Sequence, residues 1–355
     1  MSNPESAFEI LERLLGRYTI KEITEGIGVN VGTAKRWLEN GEVPKQYVIE
    51  FKRFSGEEID YEGMSEVEKD QFFTSPQTAE YCFRVMKEKL RELGEDESKY
   101  GWIEPSVGDG SFGRLMKKGS IFIDVDPKYE GTIKQDFLGW EPADGEWIVM
   151  GNPPFGFRGN LALKFMNHAS KFANFVAFIV PQTFESNGKG SCKSRVRGLN
   201  LIHSERIGEE FHYPDGRVTN VSCVFQIWSK SHKVKEEKVD VSHLVKIMSV
   251  SDGGTPGTTR NKKYHDKCSY FVVSSHYGKE KLILETEFKK LSRGGYGFYI
   301  LDERVCEYIE KINFQEICFV STNGAVNLRL DIIEKALYNE LPDELRQSQR
   351  GVLPL

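Results

Sequence analysis

The chain is most informative first in what it lacks. Its six cysteines, at 82, 192, 223, 268, 306 and 318, are scattered and form no C-x-x-C pair. That excludes a disulfide framework and a zinc ribbon, and fits reduced thiols. Seven histidines are equally dispersed, so no zinc spacing appears and no metal is expected. No apolar run approaches the roughly 20 residues of a membrane span. The start, Met1-Ser2-Asn3-Pro4-Glu5, has no basic segment leading into an apolar one, so the expectation is a cytoplasmic protein, cellular or viral within a host. There is no internal repeat. A large excess of one charge sign is also lacking: the net charge is −5 over 355 residues, with 48 Lys and Arg against 53 Asp and Glu. A chain of this length buries a sizeable core and divides into two or three units.

What is present is concentrated between residues 72 and 228. Trp147-Ile148-Val149-Met150 reads as a buried strand, and Asn152-Pro153-Pro154-Phe155 follows its C-terminal end. An exocyclic adenine amine is a poor nucleophile because its lone pair is delocalised into the ring. The Asn152 amide oxygen and the Pro153 carbonyl can accept its two N–H bonds and aim the lone pair at an electrophilic methyl group, a contribution of position and electrostatics alone. Two prolines stiffen the loop, and Phe155 can stack on a base lifted from its helix. The plain alternative is a Pro-rich turn after a core strand. Upstream, Trp102-Ile103-Glu104-Pro105-Ser106-Val107-Gly108-Asp109-Gly110-Ser111-Phe112 reads as a strand, a Gly-rich turn and a helix start. Ile121-Phe122-Ile123-Asp124-Val125-Asp126 is a second apolar strand ending in acids, suited to a ribose diol. Thr132 to Phe137 is a third element, ending in Asp136 beside Phe137. Open α/β sheets bind ligands at this edge.

This ordered set resembles the N6-adenine (amino-group) S-adenosylmethionine-dependent DNA methyltransferases, with the motif order of their gamma group, from about Phe72 to Trp228. The resemblance implies a doubly wound, Rossmann-like α/β sheet and S-adenosyl-L-methionine as cofactor. It implies that Gln71 to Pro76, with Phe73 and Thr74, lies over the methionine end of the cofactor. Glu104, Pro105, Ser106, Gly108 and Gly110 would form the cofactor loop. Asp124, with Val125, would bind the ribose, and Asp136 the cofactor adenine amine, with Phe137 over the ring. Asn152, Pro153, Pro154 and Phe155 would hold the target base. Phe211-His212-Tyr213-Pro214 would supply its second face, through Tyr213 first and Phe211 as fallback. The region after Trp228 matches no familiar recognition domain, so an RNA adenine methyltransferase, a protein glutamine methyltransferase and a catalytically silent DNA-binding protein stay open. A restriction-modification role is compatible, as are a phage and an orphan regulatory one.

Three units are expected: a helical module over 1–63, the methyltransferase sheet over 64–230, and a mixed target-recognition region over 231–355. In the first, Tyr18 to Ile23 begins a helix, Gly26-Ile27-Gly28-Val29 makes a turn, and Asn30 to Glu39 is a second helix, the pattern of a helix-turn-helix. Thr33, Lys35 and Arg36 would face double-stranded DNA. Against that, residues 1 to 63 hold 8 Lys and Arg and 12 Asp and Glu, and a protein contact is the rival. Residues 186 to 306 hold 21 Lys and Arg against 14 Asp and Glu. Lys193, Arg195 and Arg197 lie there in a Gly-rich basic stretch, and Arg260, Lys262 and Lys263 in a second; both are candidate phosphate contacts.

Overall fold

The computed structural model describes residues 5–57, 59, 73–186, 191–207, 210–212, 218–220, 222–234, 239–251, 253, 259–276, 283–287, 294–320 and 326–346. Tyr213, Pro214, Gln71, Phe72 and most of the acidic stretch 57–63 lie outside these residues.

Seven strands form the central sheet: β1 (Gly101–Glu104), β2 (Ile121–Asp124), β3 (Ile133–Lys134), β4 (Trp147–Gly151), β5 (Phe175–Pro181), β6 (Asn200–Ile207) and β7 (Cys223–Ser229). Their order is β3-β2-β1-β4-β5-β7-β6. The β2–β3, β1–β2, β1–β4 and β4–β5 pairs are parallel, and β7 runs antiparallel between β5 and β6. This is a Rossmann-like α/β sheet, as expected, with a reversed strand inserted before the last one. The strand order turns back between the parallel strands β1 and β4, and the right-handed crossover rule then puts the connections of the two halves on opposite faces. β5 and β7 are buried at every residue, β5 as an unbroken apolar run and β7 as one interrupted only by the buried Gln226 before its terminal Ser229. At the other edge β3 is only two residues long and exposed, a blunted edge.

Local signals explain the helices. α1 (Ala7–Leu15), α2 (Ile20–Ile27), α3 (Val31–Asn40) and α4 (Val48–Ser55) form the N-terminal module. Ser6 with Glu9, and Thr19 with Glu22, are complete capping boxes, and Asn30 caps α3. α2 and α3 are joined by three residues, of which Gly28 takes the left-handed conformation at φ 77. The module has its own core, with Ile10, Leu11, Ile23 and Phe51 fully buried. α5 (Pro76–Glu92) starts with Ser75 as cap and Pro at its first position, and packs Phe83 on Trp102 of β1 at 5.0 Å between ring centres. α6 (Asn160–Ala169) follows the Asn-Pro-Pro-Phe loop.

One local expectation changes. The Gly-rich turn after β1 leads into a single 3-10 turn, Gly113–Leu115, in place of an α-helix. Gly110, Gly113 and Gly119 punctuate the short path to β2, and glycine is a poor helix former. The leading and late segments, far apart in sequence, pair with each other: Phe73 opposite His212 and Thr74 opposite Phe211.

After the sheet, Val245–Val250, Gly295–Ile300 and Tyr270–Val273 form an antiparallel sheet with Gly295–Ile300 at its centre. It packs with the helix Leu330–Glu340 in a separate core. Arg206 of β6 ties this part to the central sheet by donating to the carbonyls of Glu316 and Ile317 at 2.9 and 3.2 Å. Among the described residues no helix is long and apolar enough to cross a membrane.

Candidate active site

The crevice where the sheet reverses is lined by the ends of β1 and β4. Ser106 Oγ donates to the Asn152 carbonyl at 3.0 Å, joining the two loops directly. Gly151 allows this approach: a Cβ there would sit 3.2 Å from Glu104 Cγ. Glu104 itself is 2 % exposed. Its Oε2 meets no hydrogen-bond partner of normal geometry among the described residues, although the Gly113 amide faces the carboxyl group. Burial, followed by the carboxylates of Asp124 and Asp109, pushes the Glu104 carboxyl well above the ordinary range.

That shift has a measurable consequence. A carboxyl whose pKa is raised by folding favours the protonated form, so its contribution to stability is present below the unfolded pKa and is lost as pH rises towards the folded value. Glu104→Gln keeps the shape and removes the titration. The variant should match the parent in thermal stability near pH 4 and exceed it at pH 8. Parallel melting curves at both pH values would sink this account.

Asp124 closes the loop from the other side. Its Oδ2 accepts the Gly108 amide at 2.9 Å and its Oδ1 the Asp126 amide at 2.8 Å. Burial raises its pKa, against the pull of these two amides. Gly108 is left-handed at φ 54, and a Cβ there would lie 3.0 Å from the Phe73 ring, so the leading segment rests on the loop. His212 Nε2 is 3.6 Å from Asp109 Oδ2, which brings the late segment to the same loop. Pro105 packs against Gly151, Thr74 is buried where the leading segment pairs with Phe211, and Val125 is partly exposed beyond β2.

The aromatic candidates are placed more deeply than their proposed use requires. Phe155 is 6 % exposed and belongs to the main core, and its carbonyl accepts the Leu161 amide at 3.1 Å. Phe211 is 1 % exposed. Stacking of either ring on a base therefore requires a local opening. Phe137 is buried among Trp140, Phe165, His168 and Phe172. Pro153 is buried and Pro154 half-buried. The loop then turns through Gly156, Arg158 and Gly159, all left-handed, at φ 64, 55 and 76. Arg158 is not glycine, and holding it there costs about 1–2 kcal/mol.

Asp136 caps the Leu138 amide through Oδ1 at 3.0 Å and pairs through Oδ2 with Arg53 Nε of α4 at 3.1 Å. Sequence reasoning missed Arg53, because nothing local to α4 signals a partner 83 positions away. It also missed Tyr129, whose ring would lie 2.2 Å from a Cβ on Gly110.

The basic candidates divide into three places. Lys35 and Arg36 are exposed on α3, while Thr33 is partly used in the Asn30 cap. Arg195 donates to Asn160 Oδ1 at 3.0 Å, and Arg195 and Arg197, just beyond Lys193, line a cavity of about 650 Å³. Its other walls include Gly28, Arg53 and Phe54 of the N-terminal module and Asn160, Lys164 and Lys171 on or just after α6. Arg260, Lys262 and Lys263 are exposed elsewhere, on the C-terminal part. No group of metal-ligating side chains occurs among the described residues.

No family model matches the chain, and no curated protein matches it. Solved structures do. A candidate RNA methyltransferase from Pyrococcus horikoshii is similar over 47 % of this chain and 90 % of its own, at 19 % identity and a TM-score of 0.38. A Thermoplasma acidophilum protein is similar over 44 % of this chain and 90 % of its own, at 14 % and 0.30. The modification subunit of a candidate type I restriction enzyme from Vibrio vulnificus is similar over 80 % of this chain and 67 % of its own, at 13 % and 0.31. Likeness at this level assigns no activity to the chain.

Proposed function

We propose that the protein is an S-adenosyl-L-methionine-dependent methyltransferase that modifies the N6 amino group of adenine in DNA. The observation that carries this reading is the meeting of the Glu-Pro-Ser loop and the Asn-Pro-Pro-Phe loop at the sheet reversal, through the Ser106 to Asn152 bond of 3.0 Å. The residues present fit the cofactor: the buried Glu104 carboxyl, with an oxygen short of a partner among the described residues, suits its cationic ammonium end, and Asp124, at the end of β2, suits a ribose diol. When bound, S-adenosyl-L-methionine supplies an electrophilic methyl group on sulfur.

The chain's own residues do the rest. The Asn152 amide oxygen and the Pro153 carbonyl hold the two amine hydrogens and turn the nitrogen lone pair towards the methyl carbon. A bound cofactor would supply the methyl group to that lone pair and keep the S–C electron pair on its sulfur, and the amine nitrogen would release its extra proton to solvent. The adenine must first leave its stack, at a cost of a few kcal/mol. Opening of the loop would let Phe155 cover one face, with Tyr213 or Phe211 over the other.

Three units serve this reading, 1–63, 64–230 and 231–355, and their separate cores support the division. The three-residue turn at Gly28 supports a helix-turn-helix with Lys35 and Arg36 towards DNA. Arg195 and Arg197 serve the phosphate backbone, since among the described residues the hydrogen-bond partners of Arg195 are neutral and both arginines face an open cavity. Arg195→Ala with Arg197→Ala should weaken duplex binding. The slope of log affinity against log salt should become shallower by about 0.9 for each phosphate that the two arginines neutralise. An unchanged slope in fluorescence anisotropy would remove both from the interface.

The deciding assay is transfer of labelled methyl groups to unmethylated genomic DNA and to total RNA, followed by nucleoside mass spectrometry. N6-methyladenine in DNA is expected. Label in RNA alone overturns the DNA assignment, and label in neither overturns the nucleic-acid one.

A further inference from the structure

The N-terminal module does more than sit beside the sheet. Glu50 and Arg53 lie one turn apart on α4, and both reach into the α/β unit. Arg53 Nε is 3.1 Å from Asp136 Oδ2, and Arg53 is 3.3 Å from Glu50 Oε1. Glu50 Oε2 in turn accepts a bond from Lys164 of α6. Four charges thus alternate in sign, Asp136, Arg53, Glu50 and Lys164, with side chains only 16 to 26 % exposed. A second contact supports the docking: a Cβ on Gly28, in the turn between α2 and α3, would lie 3.8 Å from the Asn160 side chain at the start of α6.

Two modules could be fastened more cheaply. Exposed ion pairs contribute little, and apolar residues of similar volume often replace covered ones without loss. A covered chain of charges is therefore a costly way only to glue. This one ends on a carboxylate just past β3, beside the crevice. Asp136 Oδ1 already takes the Leu138 amide at 3.0 Å. With Oδ2 against Arg53, both oxygens are oriented.

We propose that Arg53 is a positioning residue for the cofactor: by fixing Asp136 it sets the acceptor for the exocyclic amine of the cofactor's adenine, so the N-terminal module completes the cofactor site. This rests on the methyltransferase reading above. It goes further in making cofactor affinity depend on a module proposed above to face DNA. Linkage then runs both ways, and a ligand that shifts the module changes cofactor affinity, as cofactor changes the affinity for that ligand.

The test is calorimetric binding of S-adenosylhomocysteine, the demethylated product, to the full chain, with steady-state kinetics on methylatable DNA. Arg53→Ala should weaken binding about tenfold and raise the cofactor KM alike, with kcat at saturation changed less than about twofold. Arg53→Lys should recover part of the affinity, because the charge remains while the guanidinium geometry is lost. Combined with Asp136→Ala, Arg53→Ala should add almost nothing, since Arg53 acts through Asp136. Additive losses in the double variant, or a full-strength affinity in Arg53→Ala, overturn the proposal. So does Glu50→Ala if it weakens binding as much as Arg53→Ala, since the chain would then only dock the module. Failure of the parent protein itself to bind S-adenosylhomocysteine is a different result, and it overturns the methyltransferase reading.

Discussion

Asn152→Ala should lose at least about 100-fold in methyl-transfer turnover while keeping its affinity for S-adenosylhomocysteine, the scale found when one preorganised polar group is removed from a reacting centre. The separation follows from what Asn152 touches. Its main-chain carbonyl takes the Ser106 hydroxyl, a bond that alanine retains. The loop should therefore remain seated, held also by the Leu161 and Ala162 amides on the Phe155 carbonyl at 3.1 and 3.3 Å. What goes is the amide oxygen that is proposed to receive an amine hydrogen. Asn152→Asp is the companion variant. It keeps an acceptor but adds a charge in a half-buried place, and should be damaged less than alanine if acceptance is the role. Calorimetry and single-turnover kinetics on one preparation decide the matter. A parallel loss of cofactor affinity in Asn152→Ala would make the residue structural.

The second large effect belongs to Gly110→Ala. Gly110 sits at φ 90, where an L side chain costs about 1–2 kcal/mol. Its Cβ would also lie 2.2 Å from the Tyr129 ring, closer than carbon atoms can stand. The ring has little room to withdraw, because it meets Phe122 edge-on at 5.3 Å and Arg114 covers it at 5.6 Å. Forcing an extra carbon into a packed place costs a further 1–3 kcal/mol, or about 2–5 kcal/mol in all. The strain falls on the loop that joins Glu104 to Asp124 through the Gly108 amide, so cofactor binding should be lost along with several degrees of melting temperature. Gly139→Ala is the control, because nothing lies within 4 Å of a Cβ there. Equal melting curves for the two variants would mean that the loop is not packed as described.

Much of the frame was legible beforehand, and particular residues say why. The runs Phe175 to Pro181 and Cys223 to Ser229 are apolar almost throughout, and both became strands buried at every residue. Asn30 and Ser75 are cap residues, and each starts a helix. Such signals act over a few positions, so they survive without knowledge of the fold. α1, α4 and β6 were not foreseen. β6 illustrates the limit: Asn200-Leu201-Ile202-His203-Ser204-Glu205-Arg206-Ile207 carries polar residues throughout, and it is a strand because β7 pairs with it.

By itself the sequence determined many of the local elements, the succession of strand ends that carry Glu104, Asp124, Asp136 and Asn152, and the Rossmann-like class. These depend on periodicity, capping and turn chemistry, all written within about ten residues of one another. Only the tertiary structure decided which ends meet. It brought Ser106 to Asn152 across 46 positions and Arg53 to Asp136 across 83. It also sank Phe155 and Phe211 into the core, where a reading from residue type had exposed them to a base. The physical reason is that long-range contacts are chosen by the whole chain's burial of apolar surface and by the handedness of its crossovers, and neither quantity is a property of any short segment.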